Sequence, residues 1–148
     1  MSLTPAQLAT FKTAILADAN LAAYLSARND GAITDYYNQP GAGTIWRPSI
    51  SIAELNTAIL WNEYITLSVQ FQGGYLAMIA NGVIDATSAN IRSGFASIFT
   101  GKTSLTNLSA IAQVIPTRFE ALFTTSQVCS VFGKRVTVQD VVLTLTGV

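Results

Sequence analysis

Apolar residues recur at helical spacing along most of this chain. Residues three and four positions apart fall on one face of an α-helix, so a repeated apolar face predicts an amphipathic helix. Three such faces contain Leu8, Phe11 and Ile15; Ile91, Phe95 and Ile98; and Leu105, Leu108 and Ile111. The pattern predicts a mainly α chain folded as a small helical bundle.

Three segments carry the signature of a helix N-terminus. Thr4 is followed by Gln7, Ser51 by Glu54, and Thr137 more weakly by Asp140, each pair three residues apart. In such a capping box the hydroxyl and the later side chain each accept a hydrogen bond from the other residue's free backbone amide. We therefore expect helices to begin directly after the three hydroxyl residues, the first with proline at its first helical position.

The helical pattern fails between about residues 31 and 48. The sequence Asn38-Gln39-Pro40-Gly41 is typical of a turn. A loop of about seventeen residues is longer than compact domains usually keep without a use. The sequence therefore predicts a long loop over about 31–48 that protrudes and carries function.

One stretch, residues 64–84, contains no charged residue and is long enough to cross a bilayer. Gln70, Gln72 and Asn81 spread polar groups through it, and Glu63 and Asp85 flank it where a membrane helix would favour Lys or Arg. We expect no membrane span. The stretch instead predicts a helix from about residue 62 to 80 that is buried by its neighbours.

The C-terminal part departs from the helical pattern. The segment QVCSVFGKRVTV has β-branched residues around Gly133, which favours an extended or β-like arm, or a hairpin, before a short terminal helix. We therefore divide the chain into a helical bundle domain, 1–123, and a C-terminal arm, 124–148. The arm is expected to contact a neighbouring subunit or a partner ring, and truncation at Thr124 is expected to leave a folded helical core but to abolish assembly.

Charge is scarce. Charged residues make up 11% of the chain and eight basic side chains balance eight acidic ones, whereas an average domain has about 25% charged residues. A neutral surface of this kind usually lies against another subunit, so we expect a homo-oligomer. The alternative is a small monomer solvated by its abundant Ser, Thr, Asn and Gln. The scattered basic residues give no electrostatic footprint for nucleic acid.

The sequence offers little chemistry. Without any histidine there is no Ser-His or Cys-His pair and no imidazole metal ligand. Cys129 is the one cysteine and its apolar neighbours indicate a small core residue. We predict no catalytic, cofactor-binding or metal-binding residue, and no enzymatic activity. The N-terminal segment lacks the basic head and apolar stretch of a signal peptide, which favours synthesis in the cytoplasm.

Four residues are candidates for partner binding: Trp46, Arg47, Lys134 and Arg135. Trp and Arg are enriched in interface hot spots, and here they follow the flexible segment 41–43. Trp46 has two interpretations, since it can anchor a partner or fold back onto its own core. Lys134 and Arg135 adjoin Gly133, where they fit either a solvated turn or an ion pair between subunits.

Several segments together resemble one family. LTPAQLATFKTAILAD, LAAYLSARNDGAI, WRPSISIAEL and DATSANIRSGFASIFTG are similar to small structural proteins of tailed bacteriophages, over roughly residues 1–123. The resemblance implies a virion component of the head-to-tail connector (adaptor) type. It transfers no binding residue to this chain.

The resemblance also has implications for assembly. The resemblance implies a ring of identical subunits between portal and tail, assembled in the host cytoplasm, with DNA only as cargo through the ring channel. A minor tail protein or a capsid-decorating protein is the closest alternative. A non-viral helical protein-binding module is a third, and it would be a monomer or dimer.

Overall fold

The computed structural model of the protein describes residues 3–147, so residues 1, 2 and 148 of the predicted domains lie outside it. The prediction of a mainly α chain is confirmed. The helices are α1 (Pro5–Ala17), α2 (Ala22–Ser26), α3 (Asp30–Asn38), α4 (Ile52–Ala58), α5 (Trp61–Tyr64), α6 (Val69–Ile79), α7 (Ala89–Ile98), α8 (Thr103–Ile111), α9 (Arg118–Leu122) and α10 (Val138–Thr146), with a 3-10 turn at Ala19–Leu21. The strands are β1 (Ile45–Trp46), β2 (Ile50–Ser51), β3 (Val83–Ile84), β4 (Gln113–Val114), β5 (Thr124–Thr125) and β6 (Val128–Cys129).

The described chain forms two compact units. The first, here called the terminal unit, combines the described residues up to Gly43 with those from Ile115 onward, and the second, the central unit, comprises Thr44–Val114. Each has a buried core of its own. The boundary expected between residues 123 and 124 falls inside the terminal unit.

The terminal unit is built around aromatic side chains. Phe11 on α1 is fully buried, and its ring lies edge-on to Tyr37 and Phe119 at centroid distances of 4.9 and 5.1 Å. Such edge-to-face pairs are favourable beyond the area they bury. Helices α1, α3 and α9 therefore meet at one aromatic centre.

The C-terminal segment has the predicted hairpin and short terminal helix, and it belongs to this core, so the alternative of an extended arm is wrong. Helix α10 packs against α1 and α3, and Val131, Val136 and Val141 are almost completely buried. The side-chain amide of Asn38 makes two hydrogen bonds with the backbone of Val136, at 2.8 and 2.9 Å. Two of the β-branched residues that suggested an arm, Val131 and Val136, are core residues, so truncation at Thr124 would remove part of the core.

The hairpin lies at the start of this segment. Strands β5 and β6 pair antiparallel, with Thr124 opposite Cys129. Ser126 and Gln127 have positive φ angles of 51° and 63°, the combination that a two-residue hairpin turn requires. Cys129 is buried, as predicted for a core residue.

The expectation of a long loop over 31–48 is wrong in its first half, where α3 lies. The side chain of Asn29 accepts a hydrogen bond from the amide of Ala32 at 3.0 Å, which starts a new helix. Ile33 and Tyr37, one turn apart, then enter the core. The amide of Gly41 donates to Pro116 O at 2.7 Å, so the remaining connection is held against the terminal unit.

The central unit has a core of its own beneath two strand pairs. Strand β1 pairs with β4, and β2 pairs with β3, all antiparallel. Helix α4 packs against α8, and α6 against α7. The side chain of Met78 on α6 packs on Gly94 of α7, where a Cβ would lie 2.9 Å from its terminal methyl carbon and would displace the end of that side chain.

The predicted helix over 62–80 is two helices. It breaks after Tyr64, and α6 starts where Ser68 Oγ accepts a hydrogen bond from the amide of Phe71 at 3.3 Å. The expectation that this charge-free stretch is buried is also wrong, since Tyr75 is the one buried residue of α6. No helix in residues 3–147 is long and apolar enough to cross a membrane.

The predicted helix starts are confirmed. Thr4, Ser51 and Thr137 each form a complete capping box with Gln7, Glu54 and Asp140. A fourth box, unrecognised in the sequence, joins Thr117 and Glu120 at the start of α9. Hydroxyl-initiated caps therefore begin helices in both units.

Two valines on α10 test whether the C-terminal segment is core. Val141 is fully buried and Val138 is 49% exposed. Val141→Ala should lower the free energy of unfolding by about 2 kcal/mol through lost burial and a cavity, and Val138→Ala by less than about 0.5 kcal/mol. Urea unfolding followed by circular dichroism measures both, and equal losses would place α10 outside the core.

Candidate interaction surface

Helix α6 presents apolar side chains to solvent. Val69 is 86% exposed and Leu76 is 55% exposed. These two residues are seven positions apart and so share one helix face. Gly73 lies between them on that face, and Ala80 continues it past the helix end; both are exposed. The face is therefore a stripe of apolar and small residues.

Helix α5 extends this stripe with an aromatic residue. Trp61 is 71% exposed, and its ring stacks on Tyr64 at a centroid distance of 5.4 Å. Trp61, Tyr64, Leu76 and Ile79 line one open depression of about 400 Å³. Because Leu76 belongs to both the stripe and the depression, the two form one surface, here called the α5–α6 surface.

The composition of the α5–α6 surface is that of an interface core. The chain has no charged residue between Glu63 and Asp85. Cores of protein interfaces are depleted in charged residues and enriched in aromatic ones. The part of this surface formed by residues 64–84 can be covered without desolvating an ion on those residues, so the usual penalty for burying a charge is absent there.

Glu63 holds α5 in place. Its carboxylate accepts hydrogen bonds from the amides of Thr103 and Ser104, at 2.9 and 2.8 Å, and from Ser104 Oγ at 2.6 Å. It thereby caps α8, whose preceding residue Lys102 provides no side-chain cap. The Ser104 side-chain bond is the main cause that lowers the pKa of Glu63 to about 2. Trp61, two residues earlier, is therefore carried on a firmly anchored turn.

Trp46 lies against its own core. It is half-buried in β1 and packs on the cluster of buried residues in the central unit. The guanidinium carbon of Arg92 lies 4.5 Å from the centroid of its ring, a cation–π contact. Of the two interpretations of this residue, the structure has the one in which the indole folds back.

Arg47 ties together parts of the central unit. Its Nη1 lies 2.7 Å from Glu54 Oε1 and donates to Ile111 O at 3.0 Å. Its backbone amide donates to Ala112 O, and its carbonyl accepts from the amide of Ala86. The Arg47 bond is the first cause, ahead of the Ser51 amide, that lowers the pKa of Glu54 to about 2.

The predicted partner residues are not brought together in one unit. Lys134 and Arg135 are exposed in the terminal unit, between a turn and α10, while Trp46 and Arg47 belong to the central unit. Sequence reasoning placed no partner contact at Trp61, Val69 or Leu76. The sequence signal that could have found this surface is the charge-free run over residues 64–84, from which we predicted a buried helix.

The carboxylates of Glu54 and Glu63 serve as structural acceptors of hydrogen bonds. With pKa values of about 2, Glu54 and Glu63 are ionised at neutral pH and carry no proton to donate. Burial raises the pKa of the Cys129 thiol. Residues 3–147 contain no group of three or more Cys, Asp or Glu placed to hold a metal ion.

No family model, curated protein or solved structure matches this chain. The function proposed for it rests on its own surfaces and on the sequence resemblance of residues 1–123.

The caps by Glu63 and Glu54 predict an acid-sensitive fold. Their pKa values in the folded chain, about 2, lie below the ordinary value of 4.5, so the stability they contribute is present above about pH 4.5 and is lost as the pH falls toward 2. Glu63→Gln should flatten the fall of melting temperature between pH 4.5 and pH 2.5. Asp35→Asn, which removes an exposed carboxylate on α3, is the control. A melting profile of Glu63→Gln parallel to that of the unmodified protein would show that the cap contributes nothing.

The two tryptophans form a matched pair. Trp46→Ala should lower the free energy of unfolding by about 3 kcal/mol because it removes a packed indole, whereas Trp61→Ala should cost less than about 1 kcal/mol because that ring is largely exposed. Urea unfolding curves of both variants measure the difference. A larger loss for Trp61→Ala would reverse the assignment of core and surface.

Proposed function

We propose that this protein is a structural component of a tailed-bacteriophage virion, in which identical copies form the head-to-tail connector ring between portal and tail. Copies of the chain meet through the α5–α6 surface. The ring assembles in the host cytoplasm, and DNA passes through its channel as cargo without sequence-specific binding. The protein has no enzymatic activity in this account.

The exposure of apolar side chains on α6 carries this proposal. Val69 and Leu76 point to solvent beside Trp61 on a face without charge. Monomeric proteins seldom leave a contiguous apolar patch of this kind uncovered. Each 100 Å² of apolar surface removed from water contributes about 2.5 kcal/mol, which counts against the entropic cost of association.

Self-association and the ring have different supports. The α5–α6 surface supports contact between copies, whereas the similarity of residues 1–123 to phage structural proteins supports a ring and its place between portal and tail. A ring needs a heterologous contact, in which this surface meets a different patch of the next copy. Contact of the surface with itself would give a closed dimer.

The competing functions predict assemblies of different mass. A non-viral helical binding module would use the same surface for a different protein and remain a monomer or dimer when pure. A minor tail or capsid-decorating protein would join virion proteins other than the portal. Native mass spectrometry of the pure protein, repeated with purified portal rings, separates these possibilities.

A matched pair of leucines tests which surface is used. Leu76 on α6 and Leu16 on α1 are 55% and 60% exposed. Leu76→Lys should abolish assembly because it places a charge in the contact, whereas Leu16→Lys should assemble normally. Light scattering during size-exclusion chromatography measures the mass, and melting temperature confirms that both variants fold.

Two results would contradict this proposal. One is unmodified protein that stays monomeric at every concentration and does not join portal rings. The other is assembly that survives Leu76→Lys and is lost in Leu16→Lys, which would move the contact to the terminal unit.

A further inference from the structure

A second concavity lies in the central unit, between α7 and α8. Its volume is about 290 Å³, and none of its lining residues borders the depression of the α5–α6 surface. Helix α7 contributes Ile91 and Phe95, α8 contributes Leu105 and Leu108, and Trp46 closes one side. This slot is therefore apolar along most of its length.

One charged group stands in the slot. Arg92 is half-buried, and its Nη1 donates to Ala86 O at 2.6 Å and to Thr87 O at 2.8 Å, while the guanidinium lies over Trp46. These contacts hold its planar group in a single orientation. A guanidinium fixed in this way can offer its remaining N–H groups to a ligand with little loss of entropy.

The charge of Arg92 has no counter-ion in the described part of the chain. Arg47, the other arginine beside Trp46, is paired with Glu54 at 2.7 Å, but no carboxylate in residues 3–147 lies within 4.0 Å of Arg92. Asp85, seven residues earlier, instead accepts hydrogen bonds from the amide and hydroxyl of Thr87. An apolar slot with an unmatched cation suits a ligand that is apolar with one anionic end.

We propose that the slot binds a single aliphatic chain that ends in a carboxylate. The methylene chain lies among Ile91, Phe95, Leu105 and Leu108, and the carboxylate pairs with Arg92. Guanidinium and carboxylate match in geometry, and their charge-assisted hydrogen bonds are stronger than neutral ones. An apolar cavity of about 150 Å³ accepts benzene, so this larger slot has room for a medium-length chain. The binding is independent of self-association through the α5–α6 surface.

Decanoate is the probe. Titration calorimetry below its micelle-forming concentration should give saturable binding of one decanoate per chain. Octanoate should bind about fifteenfold more weakly, because it lacks two methylenes and each buried methylene contributes about fourfold to affinity. Decanol should bind at least about threefold more weakly, because it cannot pair with Arg92. No saturable binding of decanoate, or equal affinity for decanol, would overturn the proposal.

Two alanines on α7 provide a matched control for the location. Ala96 borders the slot and is exposed, whereas Ala89 is exposed and does not border it. Ala96→Phe should weaken decanoate binding at least tenfold by filling the mouth, and Ala89→Phe should leave it unchanged. Arg92→Gln should remove the preference for decanoate over decanol. Unchanged binding by a folded Ala96→Phe variant would place the ligand elsewhere and refute the assignment.

Discussion

The free amides at the starts of short helices are the constraint on which this structure depends. The longest helix, α1, has 13 residues, and the first four amides of any helix lack partners within it. In helices this short those amides are a large share of the backbone. The chain supplies acceptors from hydroxyls and carboxylates, so its stability depends on polar side chains placed at helix ends.

Half of the acidic residues serve as acceptors at helix starts. Of the eight acidic residues, Glu54, Glu63, Glu120 and Asp140 accept hydrogen bonds from amides at helix starts. Carboxylates engaged in this way do not solvate the outer face of α6. The scarcity of charged residues also leaves the α5–α6 surface apolar, and an apolar surface favours association with another copy.

Local signals were predictable from the sequence and distant ones were not. The capping boxes at Thr4 and Ser51 are complete within four residues, so the sequence contains all of their information. Glu63 caps a helix 40 residues later in the chain, and Asn38 bonds Val136 from 98 residues away. The spacing of apolar residues along a sequence carries no information about such distant pairs, which is why the C-terminal segment was predicted to be an arm.

The candidate site shows the same limit. The residue types of Trp46 and Arg47 predicted partner binding. In the fold, however, Trp46 contacts Arg92, and Arg47 contacts Glu54 and Ile111, so both residues make contacts within the central unit. The charge-free run over 64–84 was visible, yet charge alone does not distinguish a buried helix from an uncovered one. Three-dimensional packing decides that, because α6 turns only Tyr75 fully into the core.

Hydroxyl-radical footprinting of assembled and dilute protein tests the central claim most directly. Trp61 and Tyr24, 71% and 40% exposed, are both reactive side chains and report on the central and terminal units respectively. Oxidation of Trp61 should fall several-fold on assembly while oxidation of Tyr24 stays constant. If Trp61 is oxidised as readily in the assembled protein as in the dilute one, the α5–α6 surface is not the contact between copies.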